Sequence, residues 1–352
     1  MKTYEQARQH ISGSPRTWLV TGAAGFIGSH LVEHLLLLDQ QVVGLDNFST
    51  GKRENLEHVR RAVGEPRRAR LRFIEGDIRS LDTCIAACSS VDVVLHQAGL
   101  GSVPRSIDKP LRTHDSNVSG FLNILLAARD AGARRLVYAS SSAVYGDHLA
   151  LPKVESQIGR AMSPYGLSKH INELYADVFA ACYGFESIGL RYFNVFGPRQ
   201  DPDGPYASVI PAWIGALLRG ETAYVNGDGS AARDYCHVDN VVQANLLAAM
   251  VDDPQALGQC YNVAVGEQTT LSELFQLMRA QLAQRLPHLR NARPVHREPR
   301  RGDVLLSRAD VSKAARLLGY RPGFTLSSGL AQTIDWYIGE LLSAEARRAA
   351  HA

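Results

Sequence analysis

A chain of 352 residues, 45% hydrophobic and 21% charged, is long enough for a large core and two lobes and has the composition of a soluble globular enzyme. A formal net charge of +3 argues against nucleic-acid and membrane partners, and no stretch approaches the roughly 18 apolar residues of a membrane span. Five scattered cysteines without a CxxC pair suggest neither a disulfide framework nor a zinc site, and the first sixteen residues lack the apolar core of a signal peptide, so a reducing, cytoplasmic home is expected.

In chain order, residues 2–11 form a polar, helix-compatible leader that breaks at Ser12-Gly13-Ser14-Pro15. Trp18 to Thr21 reads as a buried strand, Gly22-Ala23-Ala24-Gly25-Phe26-Ile27-Gly28 follows at once, and a helix runs on to Leu38. Glycines let a backbone approach a pyrophosphate, and a helix N-terminus offers it free N–H groups. The next strand, Gln41 to Asp46, ends in an acid 18 residues after Gly28. Asp46 either accepts hydrogen bonds from an adenosine ribose or caps the following turn. As a ribose ligand it repels a 2′-phosphate and favours NAD, with Lys52 and Arg53 as the opposing signal.

Further strands are predicted at 71–74, 91–95, 135–139 and 187–191, with helices between them at 117–131 and 165–183. This alternation predicts an α/β fold, a Rossmann-like doubly wound parallel sheet with ligands at the strand C-terminal ends. Downstream the regularity loosens into a smaller C-terminal α/β substrate lobe. The expected division is 1–190 for cofactor binding and a discontinuous 191–345 for substrate, with a segment near 233–260 returning to the sheet.

Two stretches carry chemistry. Ser140-Ser141-Ser142-Ala143-Val144-Tyr145-Gly146 follows a predicted strand directly, and Ser163-Pro164-Tyr165-Gly166-Leu167-Ser168-Lys169 opens a long helix. Ser163 suits an N-cap and Pro164 the first helical position. Tyr165 and Lys169, four apart, share a helix face, and a nearby ammonium favours the phenolate over a phenol of pKa about 10.

The glycine turn, the acid, the serine cluster and YxxxK in this order resemble the extended short-chain dehydrogenase/reductase family, and within it the nucleotide-sugar 4-epimerases, from Thr21 to about Tyr337. The resemblance implies a catalytic triad of Ser141, Tyr165 and Lys169, with Ser142 able to share the serine's role. It implies NAD contacts at Gly22, Gly25, Phe26, Ile27 and Gly28, at Asp46 and Asn47, and at Asp77 and Ile78 beside the adenine. Gln97, Asn117, Tyr165 and Lys169 complete that set. His96-Gln97-Ala98-Gly99 departs slightly from the family's usual HxAA.

For the nucleotide, Arg233-Asp234-Tyr235 and Arg300-Arg301-Gly302-Asp303 match the family's RDY and RxGD motifs, so Arg233, Arg300 and Asp303 are implied pyrophosphate-end contacts, with Asn194 near the sugar and Tyr224 near uracil. Ser307 aligns with a position that is a bulky Tyr in bacterial UDP-glucose epimerases and small in enzymes accepting N-acetylated sugars. The alternative is an incidental surface serine. Gly101 and Ser102 lie in a loop resembling that of UDP-N-acetylglucosamine 4-epimerases of bacterial surface-polysaccharide pathways. Where related dehydratases carry acids after the catalytic residue, this chain has Ser142-Ala143, which favours epimerisation over dehydration. The implied partners are a UDP-sugar and a second copy of the chain, paired through helices 112–131 and 164–184.

Overall fold

A computed structural model describes residues 3–204, 206–299 and 305–350, with side chains to residue 343. Seven strands form one sheet: β1 Thr17–Thr21, β2 Gln41–Asp46, β3 Leu71–Glu75, β4 Val93–His96, β5 Arg135–Ser141, β6 Ser187–Tyr192 and β7 Gln259–Val263. Their order is β7-β6-β5-β4-β1-β2-β3, and every pair is parallel. Strands β4 and β6 are buried along their whole length, which is why they read as apolar runs rather than alternating ones.

Helices cover both faces. On one side lie α1 Tyr4–Gly13, α2 Phe26–Leu37 and α3 Arg53–Val63, whose Ile11, Leu31, Leu35 and Val59 join Trp18 and Val20 in one core. On the other lie α4 Leu81–Cys88, α5 Gly120–Asp130 and α6 Pro164–Tyr183, packed through Ala87, Phe121, Leu125 and Phe179. The leader is held by a Thr3/Gln6 capping box and buries Ala7 and Ile11. Among the described residues no helix is long and apolar enough to cross a membrane.

Two expectations change. The helix anticipated at 117–131 starts three residues later, because a wide π turn at Asp115–Ser119 precedes α5 and carries Asn117. The return to the sheet is made by β7, after helix α7 Val238–Met250, whereas Cys236–His237 pairs, among the described residues, with Val195–Phe196 outside that sheet. Every residue of helix α7 except Asp239 is buried, because the helix lies between the sheet and α1 and α2.

A second core is built from Phe196, Trp213, Ile214, Phe275, Met278 and Leu330, while Ala314, Leu318 and Tyr320 return to the first. Its helices are α8 Val209–Leu218, α9 Leu271–Arg285 and α10 Leu326–Ala350. Short strand pairs stitch it together: Ala232–Arg233 with Thr269–Thr270, and Tyr224–Asn226 with Val295–Arg297.

Candidate active site

A cleft of about 580 Å³ opens at the C-terminal ends of β1, β4, β5 and β6 and is closed by the second lobe. That volume suits a small-molecule site. At its cofactor end the backbone of Gly22 turns at φ 69°, and an added Cβ there would stand 2.9 Å from the Ala98 nitrogen. A Cβ on Gly28 would come 2.0 Å from the Gly22 carbonyl oxygen. Helix α2 begins with Gly25 as N-cap and no side-chain cap, leaving its first N–H groups for a ligand phosphate. Phe26 and Ile27 line the same wall.

Asp46 lines the cleft and braces the backbone of the turns beside it, the second of the two readings of this acid. One carboxylate oxygen accepts from the Ala24 N–H at 2.9 Å and the other from the Phe48 N–H at 2.8 Å, bracing the glycine turn. Burial pushes its pKa up, against those backbone hydrogen bonds. Asn47 Nδ2 donates to Asp77 at 2.8 Å, and the Arg79 guanidinium holds the Asp77 carboxyl down at about 2. Neither Asn47 nor Asp77 lines the cleft, and Ile78 is buried beneath Gly120. Asn117 also stands behind the wall: it grips the Leu100 backbone, Oδ1 accepting its N–H at 2.7 Å and Nδ2 donating to its carbonyl at 3.1 Å, and Nδ2 also reaches Ser168. Its place is therefore to set the Gly99–Ser102 loop. Gln97 lines the cleft and joins Tyr192 and Asn245 in a closed hydrogen-bonded ring.

The chemical centre lies between β5 and α6. Ser163 caps α6 by accepting from the Gly166 N–H at 3.1 Å, and Pro164 occupies the first turn as its fixed φ requires. Ser141, at the end of β5, accepts from the Ala143 N–H at 3.1 Å, and its hydroxyl lies beside the Tyr165 phenol. Lys169 Nζ donates to the Ala139 carbonyl at 2.7 Å. Burial raises the pKa of Tyr165, with the Ser141 hydroxyl opposing it, and burial lowers Lys169 to about 8, with Glu173 opposing. In the protein alone, desolvation of the phenolate sets the direction for Tyr165. His96, hydrogen-bonded to Thr21 at 2.8 Å, is held neutral by burial and by Lys169, at about 3.

At the substrate end, Gly101, Ser102, Ser142, Asn194, Arg233 and Ser307 all line the cleft. Ser102 caps the short helix Val103–Asp108, Asn194 donates to the Asp234 carbonyl at 2.9 Å, and Arg233 reaches the Leu305 carbonyl at 2.8 Å. Ser307 is 7% exposed, not a surface serine, and its N–H is anchored on the Ala232 carbonyl at 3.0 Å. Tyr224 stands apart, half-exposed under the Arg297 guanidinium, which lies 3.1 Å from its ring centre. Arg300 and Asp303 lie outside the described residues. Sequence reasoning missed Lys153, Gln200 and Ser208 as lining residues. Lys153 enters because its backbone bridges Ala309, a pairing across more than 150 residues with no local signal.

A glycine cradle that leaves no room for a side chain, an acid at the end of β2 and a Ser/Tyr/Lys centre on a seven-stranded parallel sheet define a dinucleotide-dependent enzyme of the short-chain dehydrogenase type. The chain belongs to the NAD dependent epimerase/dehydratase family, whose sequence model matches residues 18–264, and NAD is its cofactor. The UDP-glucose 4-epimerase of Mycolicibacterium smegmatis is 37% identical over 321 residues, spanning 91% of this chain and 97% of the relative. A UDP-N-acetylglucosamine 4-epimerase from Methanobrevibacter ruminantium, solved with UDP-N-acetylmuramic acid, superposes with a TM-score of 0.84 at 35% identity, covering 93% of this chain and 99% of that one. A UDP-glucose 4-epimerase from Thermotoga maritima, solved with UDP-glucose, superposes at 0.83 with 35% identity, covering 92% and 99%.

Proposed function

We propose that this NAD-dependent isomerase, a UDP-sugar 4-epimerase, interconverts UDP-N-acetylglucosamine and UDP-N-acetylgalactosamine through a 4-keto sugar. The observation that carries the choice of sugar is Ser307: a small side chain, buried in the cleft that Gly101 and Ser102 also line, leaves room for a 2-acetamido group. Asp46, at the cofactor end, is the sole carboxylate among the described residues lining the cleft, which supports epimerisation over water elimination.

Held at the Gly22–Gly28 turn and the start of α2, NAD would supply reversible hydride chemistry at the sugar C4. Tyr165 takes the proton from the sugar 4-hydroxyl and gives it back, and Ser141 hydrogen-bonds the same oxygen while orienting the phenol. Lys169 offsets the phenolate charge. Arg233 anchors the pyrophosphate by charge-assisted hydrogen bonds, leaving the sugar free to turn. A second reading, a sugar with a C6 carboxylate, is favoured by Lys153, a buried cation in the cleft whose Nζ donates to the His148 carbonyl.

The active form is proposed to be a homodimer. Helix α6 leaves Leu167, Leu174 and Val178 exposed along one stripe, and Leu111, in the turn of helix that precedes α5, is 79% exposed. A stripe of this kind on a helix that otherwise packs its own core fits a four-helix contact with a second copy.

The deciding experiment is product analysis by NMR with UDP-N-acetylglucosamine and, separately, UDP-glucose, without added NAD. Faster formation of UDP-N-acetylgalactosamine supports the reading. A preference for UDP-glucose keeps the mechanism and removes the sugar assignment.

A further inference from the structure

Tyr165, Lys169 and Glu173 follow one another at intervals of four along α6, so the side chain after the lysine on this helix face is a carboxylate. Glu173 is 5% exposed, and both its oxygens are engaged. Oε1 accepts from the Ser140 hydroxyl at 2.5 Å and from Arg191 Nε at 2.9 Å, and Oε2 accepts from Arg191 Nη2 at 2.8 Å. Arg191, on β6, is equally buried, and its remaining Nη1 donates to the Glu155 carbonyl at 3.0 Å.

A buried ion pair is a poor source of stability, because desolvation offsets most of its attraction, so its value is to be sought elsewhere. Its position indicates where. Lys169 donates to the carbonyl of Ala139, and Glu173 accepts from the hydroxyl of Ser140, so two successive residues at the end of β5 are clamped to successive turns of α6. The residue after them is Ser141, whose hydroxyl lies beside the Tyr165 phenol. With its proton committed to Glu173, Ser140 has no donor left for the sugar, which leaves that task to Ser141.

We propose that Glu173 is a positioning residue of the epimerase: braced by Arg191, its carboxylate fixes the Ser140–Ser141 strand end against α6 and sustains the positive charge on Lys169. The inference rests on the proposed function, in which Tyr165 is the base. The groups facing Lys169 are Tyr165 and Glu173 on its own helix and His96 from β4, which is neutral. Those facing Glu173 are Asp177 on its own helix, Ser140 and Tyr138 from β5, Arg191 from β6 and Cys260 from β7. Burial draws Lys169 down to about 8 even with the Glu173 charge working against that loss.

The test compares the pH dependence of kcat in wild type, Glu173→Gln and Ser140→Ala, with KM and bound NAD measured alongside. Removing the carboxylate charge lowers the affinity of Lys169 for its proton. In Glu173→Gln the alkaline limb of kcat therefore moves to lower pH, and kcat at neutral pH falls about 10²-fold, the scale of a mispositioned reacting group, with KM and NAD content within twofold. Ser140→Ala keeps the ion pair and removes only the clamp, so it lowers kcat several-fold and leaves the limb in place. A uniform loss of kcat in Glu173→Gln with an unmoved limb overturns the electrostatic role. Should Glu173→Gln fail to fold, Ser140→Ala decides alone, and full kcat in that variant overturns the inference. A wild type that forms no 4-epimer overturns the proposed function and this inference with it, whereas an active wild type with an unshifted Glu173→Gln profile overturns this inference alone.

Discussion

A Cβ added to Gly101 would stand 4.0 Å from the phenolic oxygen of Tyr165. An alanine there meets Tyr165 in ordinary van der Waals contact, but a branched side chain extends into the space where the sugar must sit. Gly101→Ala is expected to keep kcat/KM within about threefold. Gly101→Val is expected to lower it about 10²-fold, the cost of displacing a reacting group by roughly an ångström, with NAD content unchanged. Steady-state kinetics with UDP-N-acetylglucosamine checks both, and a valine variant of wild-type activity would remove Gly101 from the sugar wall.

At the other end of the cleft the expected defect is in cofactor retention. A methyl on Gly28 would collide with the Gly22 carbonyl, a backbone atom that cannot swing aside. Gly28→Ala should be purified with far less NAD than wild type, measured by chromatography of the nucleotide released on denaturation. An undiminished ratio of NAD to protein would show that the α2 N-terminus is not the pyrophosphate site.

Tyr165→Phe removes only the phenolic oxygen. The expected outcome is a fall in kcat of about 10²–10⁴-fold, the usual contribution of a positioned acid–base group, with NAD still bound. Near-normal turnover would refute the assignment of Tyr165 as the base.

Filling the space at Ser307 tests the sugar assignment. Ser307→Tyr is expected to lower kcat/KM for UDP-N-acetylglucosamine at least ten times more than for UDP-glucose, because the 2-acetamido group alone needs that volume. Equal losses on both sugars would mean that Ser307 serves the nucleotide or the backbone instead.

The exposed stripe on α6 makes a prediction about assembly. Burying a leucine is worth about 1.5–3 kcal/mol, and replacing it with a charge reverses the sign. Leu174→Glu is expected to weaken self-association at least tenfold, as measured by light scattering across a dilution series. A monomeric wild type would refute the proposed dimer.

What the sequence displayed most clearly was whatever local chemistry decides. The start of α6 was readable because Ser163 and Pro164 are end signals and the Tyr165/Lys169 spacing is helical, and the structure begins that helix at Pro164. The glycine turn was readable because close approach of backbone demands glycine wherever it occurs. Contacts made across the chain were not readable. Strand β7, five residues beside β6, has no signal that separates it from an edge segment elsewhere, and Lys153 enters the cleft only through its bridge to Ala309. Asn117 and Glu173 were obscured for another reason: each acts through a neighbour's backbone or hydroxyl, so residue type alone gives no hint of its partner.

Strand β7 also bears on how the enzyme comes into being. The edge of the sheet next to the catalytic strands is supplied by residues 259–263, after the chain has already laid down helix α8 of the second lobe and helix α7. On the ribosome, β6 must therefore wait with one flank unpaired while some seventy further residues are made. Such an exposed flank is a site where strands of other nascent chains can pair, so the interval before β7 docks is the stage at which this protein most needs shielding.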